Sequence, residues 1–430
     1  MHWQAFTFVQ IVKTIIPEYF YNTKVIEFGS HTVNYSIREL FSNPECYMGV
    51  DLSPGKTVDV IAPAQDVYLG NKFDIAISCE CFEHNPYYQE TFLNMFKHLG
   101  EQGVVIFTCA TTGRPEHGTS RTDLNDSPGT ASVGWDYYKN LVQDDFDSNF
   151  IKQNFKHYLF VENEESQDLY FVGFKQEVAQ VERKFELIKS YINKCKNIGK
   201  EYSLLWRKQG NKADVVDVLC SLELTHMSPY LLEHTLPLLL TSEEESVVSK
   251  LEEIVNTVYF NFSCNALALY QKALVEFNRE NYVGVCAALD SGGIQFETYS
   301  NFKLYCDSLW GLGRKRTVLD LVTEKLELVI NSPEWMRIQF ISQLIDVDVL
   351  PFLDERLLDK IVAISDKNTT VIALYARYLF RTEREIDAIK HLEAVLVNSS
   401  EVPAWVTTDL NKYKSLVKKK YALIGHLSLE

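Results

Sequence analysis

The sequence lacks an excess of positive charge, and it lacks any long hydrophobic run. Its 42 Lys and Arg residues stand against 58 Asp and Glu residues, which gives a formal net charge of −16. A surface of this sign repels phosphate backbones and anionic lipids, so we expect no nucleic-acid partner. No apolar run approaches the ~20 residues that span a bilayer, and residues 1–16 lack the basic region and the cleavage site of a signal peptide. We therefore expect no membrane insertion.

A disulfide framework and a paired set of metal ligands are also missing. The nine cysteines are scattered, and most lie within apolar strand or helix patterns, which favours reduced, buried thiols in a cytoplasmic protein. Cys79, Cys81 and His84 could suggest zinc, but Cys79 belongs to an apolar strand and no second ligand pair follows at structural spacing. We predict no metal site.

The chain is long enough for more than one domain, and residues 24–175 alternate between strand and helix patterns. At 430 residues it exceeds the size at which a single core stops growing. Five apolar strands, with helices predicted at 33–41 and 87–99, indicate a parallel sheet covered on both faces. Two further strands follow, separated only by residues 164–167. The pattern predicts a Rossmann-like α/β domain with a mostly parallel seven-stranded sheet that ends in an antiparallel hairpin.

After residue 175 the strand signals disappear. Apolar residues at helical spacing between 178 and 202 predict one long helix with a narrow apolar seam. A seam of this kind either joins two chains as a coiled-coil homodimer or packs on the helices that follow. Both arrangements are compatible with the sequence.

Aromatic residues recur every 35 positions in the last part of the chain, at Tyr270, Tyr305, Phe340 and Tyr375. Helix pairs with this period stack on their neighbours, so the pattern predicts an all-α repeat domain similar to tetratricopeptide repeats. The third repeat is the least regular, with Pro351 at its turn. The expected domains are 1–175, a linker helix at 176–227, and the helical repeat domain at 228–430.

A single glycine, Gly29, follows the first strand, where a dinucleotide-binding loop would place three. Asp51 ends the second strand 22 residues later, at the distance where an acid accepts hydrogen bonds from ribose hydroxyls. The missing glycines, whose places His31 and Val33 occupy, would allow close approach to a pyrophosphate. S-adenosylmethionine carries an adenosine but no phosphate, so the loop favours this cofactor.

Five stretches of the first domain carry a resemblance to a known family. They read "EFGSHTVNYSIR", "YMGVDLSPGKTVDV", "CECFEHNPYYQETF", "TCATTGRPEHGTSRTD" and "DYYKNL", in this order. The domain resembles class I S-adenosylmethionine-dependent methyltransferases, specifically a type 11-like group with EHxPY and GRPEHG loops that is often associated with glycans. Tyr35 in place of a glycine and Asn85 in place of an acid depart from the group's pattern.

The resemblance implies a set of cofactor-binding residues. Glu27 and Gly29 would border the methionine end, Asp51 would hold the ribose, and Gln65 with Asp66 would lie at the adenine edge. Asp66 could instead cap a helix, and Glu27 could be a satisfied acid that fixes the loop. The full expected set is Glu27, Gly29, Ser30, Asp51, Leu52, Gln65, Asp66 and Cys79.

Two polar loops follow the fourth and fifth strands, at the edge where parallel sheets bind ligands. An alcohol acceptor gains from a general base near neutrality, and histidine suits that role best, so His84 and His117 are the catalytic candidates. Arg114 and Arg121 either hold an anionic or polyhydroxyl substrate or pair with nearby acids. The residues expected to bind substrate are Glu83, Tyr87, Arg114, Glu116 and Arg121.

By this resemblance we expect a methyltransferase that O-methylates a sugar hydroxyl in the biosynthesis of a surface glycan or polysaccharide. The repeat domain would bind the glycan, another polyhydroxyl acceptor or a protein partner. Two alternatives stay open: methylation of a small metabolite or a protein, and a non-catalytic scaffold with a degenerate methyltransferase domain. His31 and Tyr35 favour the scaffold, whereas Asp51 and the polar loop at 111–123 argue against it.

Overall fold

The chain divides into two compact units, Met1–Ser263 and Cys264–Glu430. The computed structural model describes residues 1–70, 72–296, 298–365, 368–398 and 402–424. Within these ranges, each helix is too short or too polar to cross a membrane. The structure therefore has one division, after Ser263, and the domain boundaries predicted after residues 175 and 227 stay predictions.

The first unit is built on a seven-stranded sheet with the strand order β3-β2-β1-β4-β5-β7-β6. The first five strands run parallel, and β7 runs antiparallel to both β5 and β6. This confirms the predicted sheet and its hairpin. The strands are β1 (Lys24–Phe28), β2 (Cys46–Asp51), β3 (Val60–Ile61), β4 (Phe73–Cys79), β5 (Leu99–Ala110), β6 (His157–Asn163) and β7 (Asp168–Phe174).

Helices cover both faces of this sheet, which explains why its central strands are apolar on both sides. On one face, the ring of Phe107 stacks on that of Phe171, with centroids 4.9 Å apart. On the other face, Phe8 stacks on Tyr170 at 4.4 Å. The helices of the first unit are α1 (Trp3–Ile15), α2 (Tyr88–His98), α3 (Pro128–Ser132), α4 (Ser148–Asn154), α5 (Val181–Trp206), α6 (Lys212–Ser221), α7 (Pro229–Leu232), α8 (Leu236–Leu239) and α9 (Glu245–Asn261).

The helix predicted at residues 33–41 is mostly absent, and this corrects the sequence interpretation. Only a 3-10 turn forms there, at Ile37–Leu40, with Ser36 as its N-cap. The segment before it is held by contacts with α7 and its C-cap: the ring of Tyr35 stacks on that of Tyr230 at 4.1 Å, and its hydroxyl donates to Glu233. These side-chain contacts replace the helical hydrogen bonds that the spacing suggested.

The long helix predicted after residue 175 is present as α5. Its apolar seam is buried within the first unit, where the helix packs against α1, α6 and β6. The seam is thus used inside one chain, and a homodimer through this helix stays a prediction. The buried seam residues include Ile188, Ile192, Cys195, Ile198 and Tyr202.

The described residues of the second unit form helices and the turns between them, and several consecutive helices pack against each other. Phe302 and Phe340 lie at the centre of its core, with ring centroids 5.7 Å apart. The helices are α10 (Ala266–Asn278), α11 (Tyr282–Ser291), α12 (Tyr299–Gly311), α13 (Lys315–Glu324), α14 (Leu326–Ile330), α15 (Glu334–Leu344), α16 (Glu355–Ala363), α17 (Thr369–Arg381), α18 (Glu385–Asn398) and α19 (Ala404–Ile424).

Three of the helix pairs are joined by the same turn. One residue adopts a left-handed conformation, and the next N–H donates to the carbonyl five positions back, at 2.8–2.9 Å, as in a Schellman motif. The pair α15–α16 differs, because a 3-10 turn at Leu350–Phe352 interrupts it. Membership of a tetratricopeptide-like repeat class stays a prediction. The left-handed residues are Glu280 (φ 57°), Gly313 (φ 74°) and Glu383 (φ 66°).

Candidate functional site

A pocket opens beyond the carboxyl ends of β1 and β4, where the strand order of the sheet reverses. It encloses about 890 Å³, including solvent at its mouth. In open parallel sheets ligands bind at this reversal, because the loops of the two neighbouring strands diverge there. The pocket walls come from the loops after β1, β2 and β4 and from residues 126–135.

The turn at Gly29 forms the floor of the pocket beside β1. Its φ is +79°, a conformation that glycine adopts without strain. A Cβ at this position would lie 2.6 Å from the Sγ of Cys81. Next to it, the Oγ of Ser30 is buried without a hydrogen-bond partner among the described residues. The turn therefore needs glycine and leaves one polar atom available at the pocket.

The carboxylate of Asp51 is fixed at the end of β2 by backbone donors. The N–H of His31 donates to its Oδ2 at 3.0 Å, and the N–H of Leu52 donates to its Oδ1 at 2.7 Å. Helix α3 lies close to the same carboxylate, since a Cβ on Gly129 would be 2.5 Å from the Oδ1. Asp51 is thus an oriented acceptor in the pocket wall, the geometry expected for binding hydroxyls.

Glu27, at the end of β1, is buried and lines the same pocket. Burial raises the pKa of its carboxyl and outweighs the hydrogen bond from the Tyr47 hydroxyl, so that the pKa rises to about 8. That hydroxyl donates to its Oε2 at 2.7 Å. Without a cation beside it, Glu27 is therefore mainly protonated at neutral pH.

The end of β4 carries a strained residue, Glu80, whose φ of +53° is unusual for a side chain of this kind. Its carboxylate lies 3.2 Å from the Nε2 of His2, which also lies 3.2 Å from Asp168. Burial would lower the pKa of His2, but the two carboxylates outweigh it and raise the pKa to about 10. His2 is thus an imidazolium that holds the start of α1 against the strand ends.

Three rings meet at the outer side of the pocket. The imidazoles of His84 and His117 are perpendicular, with centroids 4.8 Å apart, and the ring of Tyr138 lies 5.4 Å and 5.0 Å from them. Burial, and secondarily His117, lower the pKa of His84 to about 3. His84 is therefore neutral and lines the pocket, while His117 contacts it from outside the lining.

Glu83 precedes these rings and is fully buried. Both of its carboxylate oxygens lack a hydrogen-bond partner among the described residues. Burial, and then the charge of Glu80, raise its pKa well above the usual range for a glutamate. Such a carboxyl is costly unless something outside the chain compensates it.

The structure brings most of the predicted cofactor residues together. Gln65 and Asp66 are the exceptions, because the chain after β3 presents Ala62 and Ala64 to the pocket instead. Gln65 and Asp66 line a separate, shallow depression that they share with Tyr87 and Trp135. The predicted residues that line the main pocket are Glu27, Gly29, Ser30, Asp51, Leu52, Cys79 and His84.

The predicted substrate-binding arginines are engaged by the protein itself. Arg121 pairs with Glu116 at 2.6 Å and with Asp136 at 2.9 Å. Arg114 donates to the carbonyl of Ser166 at 2.6 Å. The Nη1 of Arg114 also lies 3.6 Å from the Oδ1 of Asp168. Both arginines therefore contact nearby acids, which is one of the two roles that the sequence left open.

Sequence reasoning missed several residues that line the pocket. Tyr35 was noted only as a departure from a family pattern, and Glu80 was not assigned to the site. The segment "DSPG" at 126–129 contains a Pro-Gly turn signal, yet nothing in the sequence locates it beside Asp51. The missed lining residues are Met1, Tyr35, Glu80, Asp126, Ser127, Pro128, Gly129, Thr130 and Trp135.

Comparisons with known proteins give weak structural similarities. No family profile and no curated protein matches the chain. The 1,6-didemethyltoxoflavin-N1-methyltransferase of Burkholderia thailandensis, solved with 1,6-didemethyltoxoflavin and S-adenosylhomocysteine, matches at 12% identity over 40% of this chain and 79% of its own, with a TM-score of 0.29. The N-methyltransferase NodS of Bradyrhizobium japonicum, in complex with S-adenosylhomocysteine, matches at 11% over 40% and 86%, with a TM-score of 0.27.

A third solved structure, an S-adenosylmethionine-dependent methyltransferase of Mesorhizobium loti, matches at 12% identity over 38% of this chain and 97% of its own, with a TM-score of 0.26. Similarities this low carry no argument about what this chain binds. The bound molecules named above are therefore reported only for those proteins.

Proposed function

We propose that the chain is an S-adenosylmethionine-dependent methyltransferase that O-methylates a sugar hydroxyl of a glycan or polysaccharide. The observation that carries the cofactor assignment is the pairing of the Gly29 turn with the oriented Asp51 carboxylate in one pocket. The turn leaves room for a ligand close to the backbone, and the carboxylate accepts hydrogen bonds from a ribose. The unpartnered Oγ of Ser30 adds a polar atom at the same place.

Pocket chemistry also supports a polyhydroxyl acceptor. The side chains of Asp126, Ser127 and Thr130 offer hydrogen-bonding atoms on one wall, and the indole of Trp135 offers an apolar face beside them. Sugars present alternating hydroxyls and C–H faces, which such a combination of polar and aromatic groups recognises. The choice of a sugar over another polyhydroxyl compound rests on this lining and on the family resemblance.

The residues of the chain would act mainly by orientation and exclusion of water. When bound, S-adenosylmethionine would supply the methyl group: the acceptor oxygen bonds to the methyl carbon, the C–S bond breaks with its electron pair left on sulfur, and the hydroxyl proton leaves. His84 faces this pocket and is neutral. It could accept that proton, although its lowered pKa makes it a weak base.

Calorimetric titration with S-adenosylhomocysteine tests the cofactor assignment. We expect saturable binding to the wild type and a loss of at least ~10-fold in affinity, or about 1.4 kcal/mol, for Asp51→Ala. Asp144→Ala is the matched control, since Asp144 is an exposed aspartate outside the pocket. Wild-type protein that gives no heat of binding would exclude the enzyme and favour the non-catalytic scaffold.

Mass spectrometry of glycans from cells with and without the gene tests the acceptor. We expect one methyl group per chain to disappear with the gene. If the glycans were unchanged and a small metabolite or a protein side chain differed by one methyl group instead, the sugar assignment would be wrong and that class of compound would be the substrate. The cytoplasmic location, and the binding of an acceptor or protein partner by the helical repeat domain predicted at residues 228–430, belong to the same proposal.

A further inference from the structure

Three side chains beside the pocket are arranged as a set of metal ligands. One ligand atom from each of Glu83, His84 and His117 lies within 4.8 Å of the other two. We propose that these residues bind a divalent transition-metal ion, for which Zn²⁺ is the natural probe. Two imidazole nitrogens and one carboxylate oxygen are a recurrent ligand set for Zn²⁺ and Fe²⁺ at sites that keep an open position.

The inner ligand atoms of this site have no hydrogen-bond partner within the part of the chain that the structure describes. Both carboxylate oxygens of Glu83 and the Nδ1 of His84 are buried and make no hydrogen bond within the described residues. Glu83 is fully buried, and His84 is 5% exposed. Two neighbouring residues with unmatched polar atoms at one point are rare in folded proteins, because each costs free energy comparable to a lost hydrogen bond. A bound cation would compensate both.

A second cluster of possible ligands in the same unit differs, because its polar groups are paired with one another and with neighbouring side chains. The ligand atoms of His2, Glu80 and Asp168 are just as close to one another. In that cluster, however, the imidazole pairs with both carboxylates at 3.2 Å. Thr108 donates to Glu80 at 2.8 Å, and Tyr170 donates to Asp168 at 3.0 Å. That cluster is satisfied as an ion-pair network, whereas the cluster at Glu83 is not.

His117 is oriented as a ligand would be. Its Nδ1 lies 3.1 Å from the carbonyl oxygen of Pro115. An N–H at Nδ1 that donates to this carbonyl leaves the Nε2 unprotonated and able to bind a metal, and metal-binding histidines commonly use their second nitrogen in this way. The hydroxyl of Tyr138 donates to the same carbonyl at 3.2 Å, which helps to fix the loop that carries His117.

The position of this site suggests what the metal would do, and this step rests on the proposed function. His84 lines the pocket, and His117 is half-buried, so an ion between them would be open to the acceptor. A bound acceptor hydroxyl would lose its proton more readily on such an ion. The metal would then take the activating role that we predicted for a histidine base, and it replaces our sequence-based expectation of no metal.

Metal titration of the full chain, stripped with a chelator, tests the inference. Because Cys220 and Cys264 are exposed free thiols, and thiolates are ligands for zinc, both are changed to Ser in every sample. We expect one Zn²⁺ per chain by calorimetry, and a visible Co²⁺ spectrum that excess Mg²⁺ does not remove. Glu83→Gln and His117→Ala should each weaken binding by at least the ~10–100-fold that loss of a supporting group costs.

The matched control is His157→Ala, which removes a histidine that pairs with Glu177 at 2.8 Å but has no third ligand among the described residues. Circular dichroism of the metal-free variants separates loss of the site from loss of folding. Absent or Mg²⁺-displaceable binding, or binding that both variants retain, would overturn the site. Binding of S-adenosylhomocysteine is measured in a separate titration. If the protein bound the metal but not S-adenosylhomocysteine, the proposed function would be refuted and the metal site would stand.

Discussion

At the scale of single residues, Gly29 is required for two reasons, its backbone conformation and the lack of space for a side chain. Gly29 has a left-handed backbone, and a Cβ there would meet Cys81 at 2.6 Å. Gly70 also has a left-handed backbone, with φ +67°, but nothing lies nearer than 4.0 Å to a Cβ at that position. The two glycines therefore separate backbone strain from steric clash.

We predict that Gly70→Ala lowers the free energy of unfolding by about 1–2 kcal/mol, the cost of a left-handed alanine. Gly29→Ala should cost more than this, because the surrounding backbone must also shift, by a further ~1–3 kcal/mol. Urea denaturation of both variants gives the comparison. Equal losses would mean that the contact with Cys81 relaxes without cost and that the turn has more space than its geometry indicates.

From the buried carboxyl of Glu27 we predict how the free energy of unfolding depends on pH. Its pKa is about 8 in the folded chain against an ordinary value of 4.5, so its protonated form favours folding. That contribution is complete below pH 4.5 and disappears as the pH rises through 8. Between pH 5 and pH 8.5, the free energy of unfolding of Glu27→Gln should rise by roughly 4 kcal/mol relative to the wild type.

Thermal or urea unfolding at the two pH values measures this difference. The amide of a glutamine at position 27 can still accept the hydrogen bond from Tyr47, so the variant should keep its packing. Glu101→Gln, at an exposed glutamate, is the control and should show no such trend. Parallel pH profiles of wild type and Glu27→Gln would contradict burial as the cause of the raised pKa.

Several of the predicted cofactor residues that line the pocket lie near a strand end. Asp51 and Cys79 end β2 and β4, and Glu27 is the last residue but one of β1, which lies between them in the sheet. Apolar runs in the sequence show where those strands stop. Gln65 lies beyond a short strand, after a turn that no pattern defines, and it lines a different depression. Its place at the adenine edge stays a prediction. Residues 126–130 reach the pocket from a distant loop, and only the folded chain brings them to Asp51.

At the scale of secondary structure elements, the apolar seam of α5 can be tested for its partner, which is either a second chain or the neighbouring helices of the same chain. Ile198 is fully buried on this helix, and Lys200 is exposed two positions later. Since the seam packs within the first unit, Ile198→Ala should lower the free energy of unfolding by about 2–5 kcal/mol. Lys200→Ala, the control on the same helix, should change it by less than ~0.5 kcal/mol.

Urea denaturation monitored by circular dichroism measures the loss, and sedimentation at several concentrations reports the association state. If Ile198→Ala instead converted a dimer into a stable monomer, the seam would join two chains. The sequence alone left both arrangements open, because a narrow apolar stripe has the same spacing whether its partner is another chain or a neighbouring helix.

At residues 33–41 the spacing of apolar residues predicted a helix that mostly does not form. Helical periodicity was present there, but Tyr35 stacks on Tyr230, which lies almost 200 residues away in the chain. A tertiary contact of this range overrides local preference, and no sequence window contains it.

At the scale of the whole molecule, the two possible boundaries make opposite predictions. We predicted a repeat domain from residue 228, whereas the first compact unit extends to Ser263. Several contacts in that unit cross the predicted boundary: the ring of Phe6 lies 4.6 Å from that of Tyr230, and Tyr202 donates to the carbonyl of Leu231 at 2.9 Å. A chain that ends at residue 227 would lose these partners.

We therefore predict that a fragment of residues 1–263 folds cooperatively and binds S-adenosylhomocysteine as the full chain does, within about twofold, because it contains every residue of the pocket. A fragment of residues 1–227 should lose several fully buried side chains, among them Leu231, Leu232 and Leu236. At about 1.5–3 kcal/mol for each, this loss approaches the whole stability of a typical domain. Circular dichroism melting compares the fragments without reference to any ligand, and a fragment 1–227 as stable as 1–263 would establish the earlier boundary.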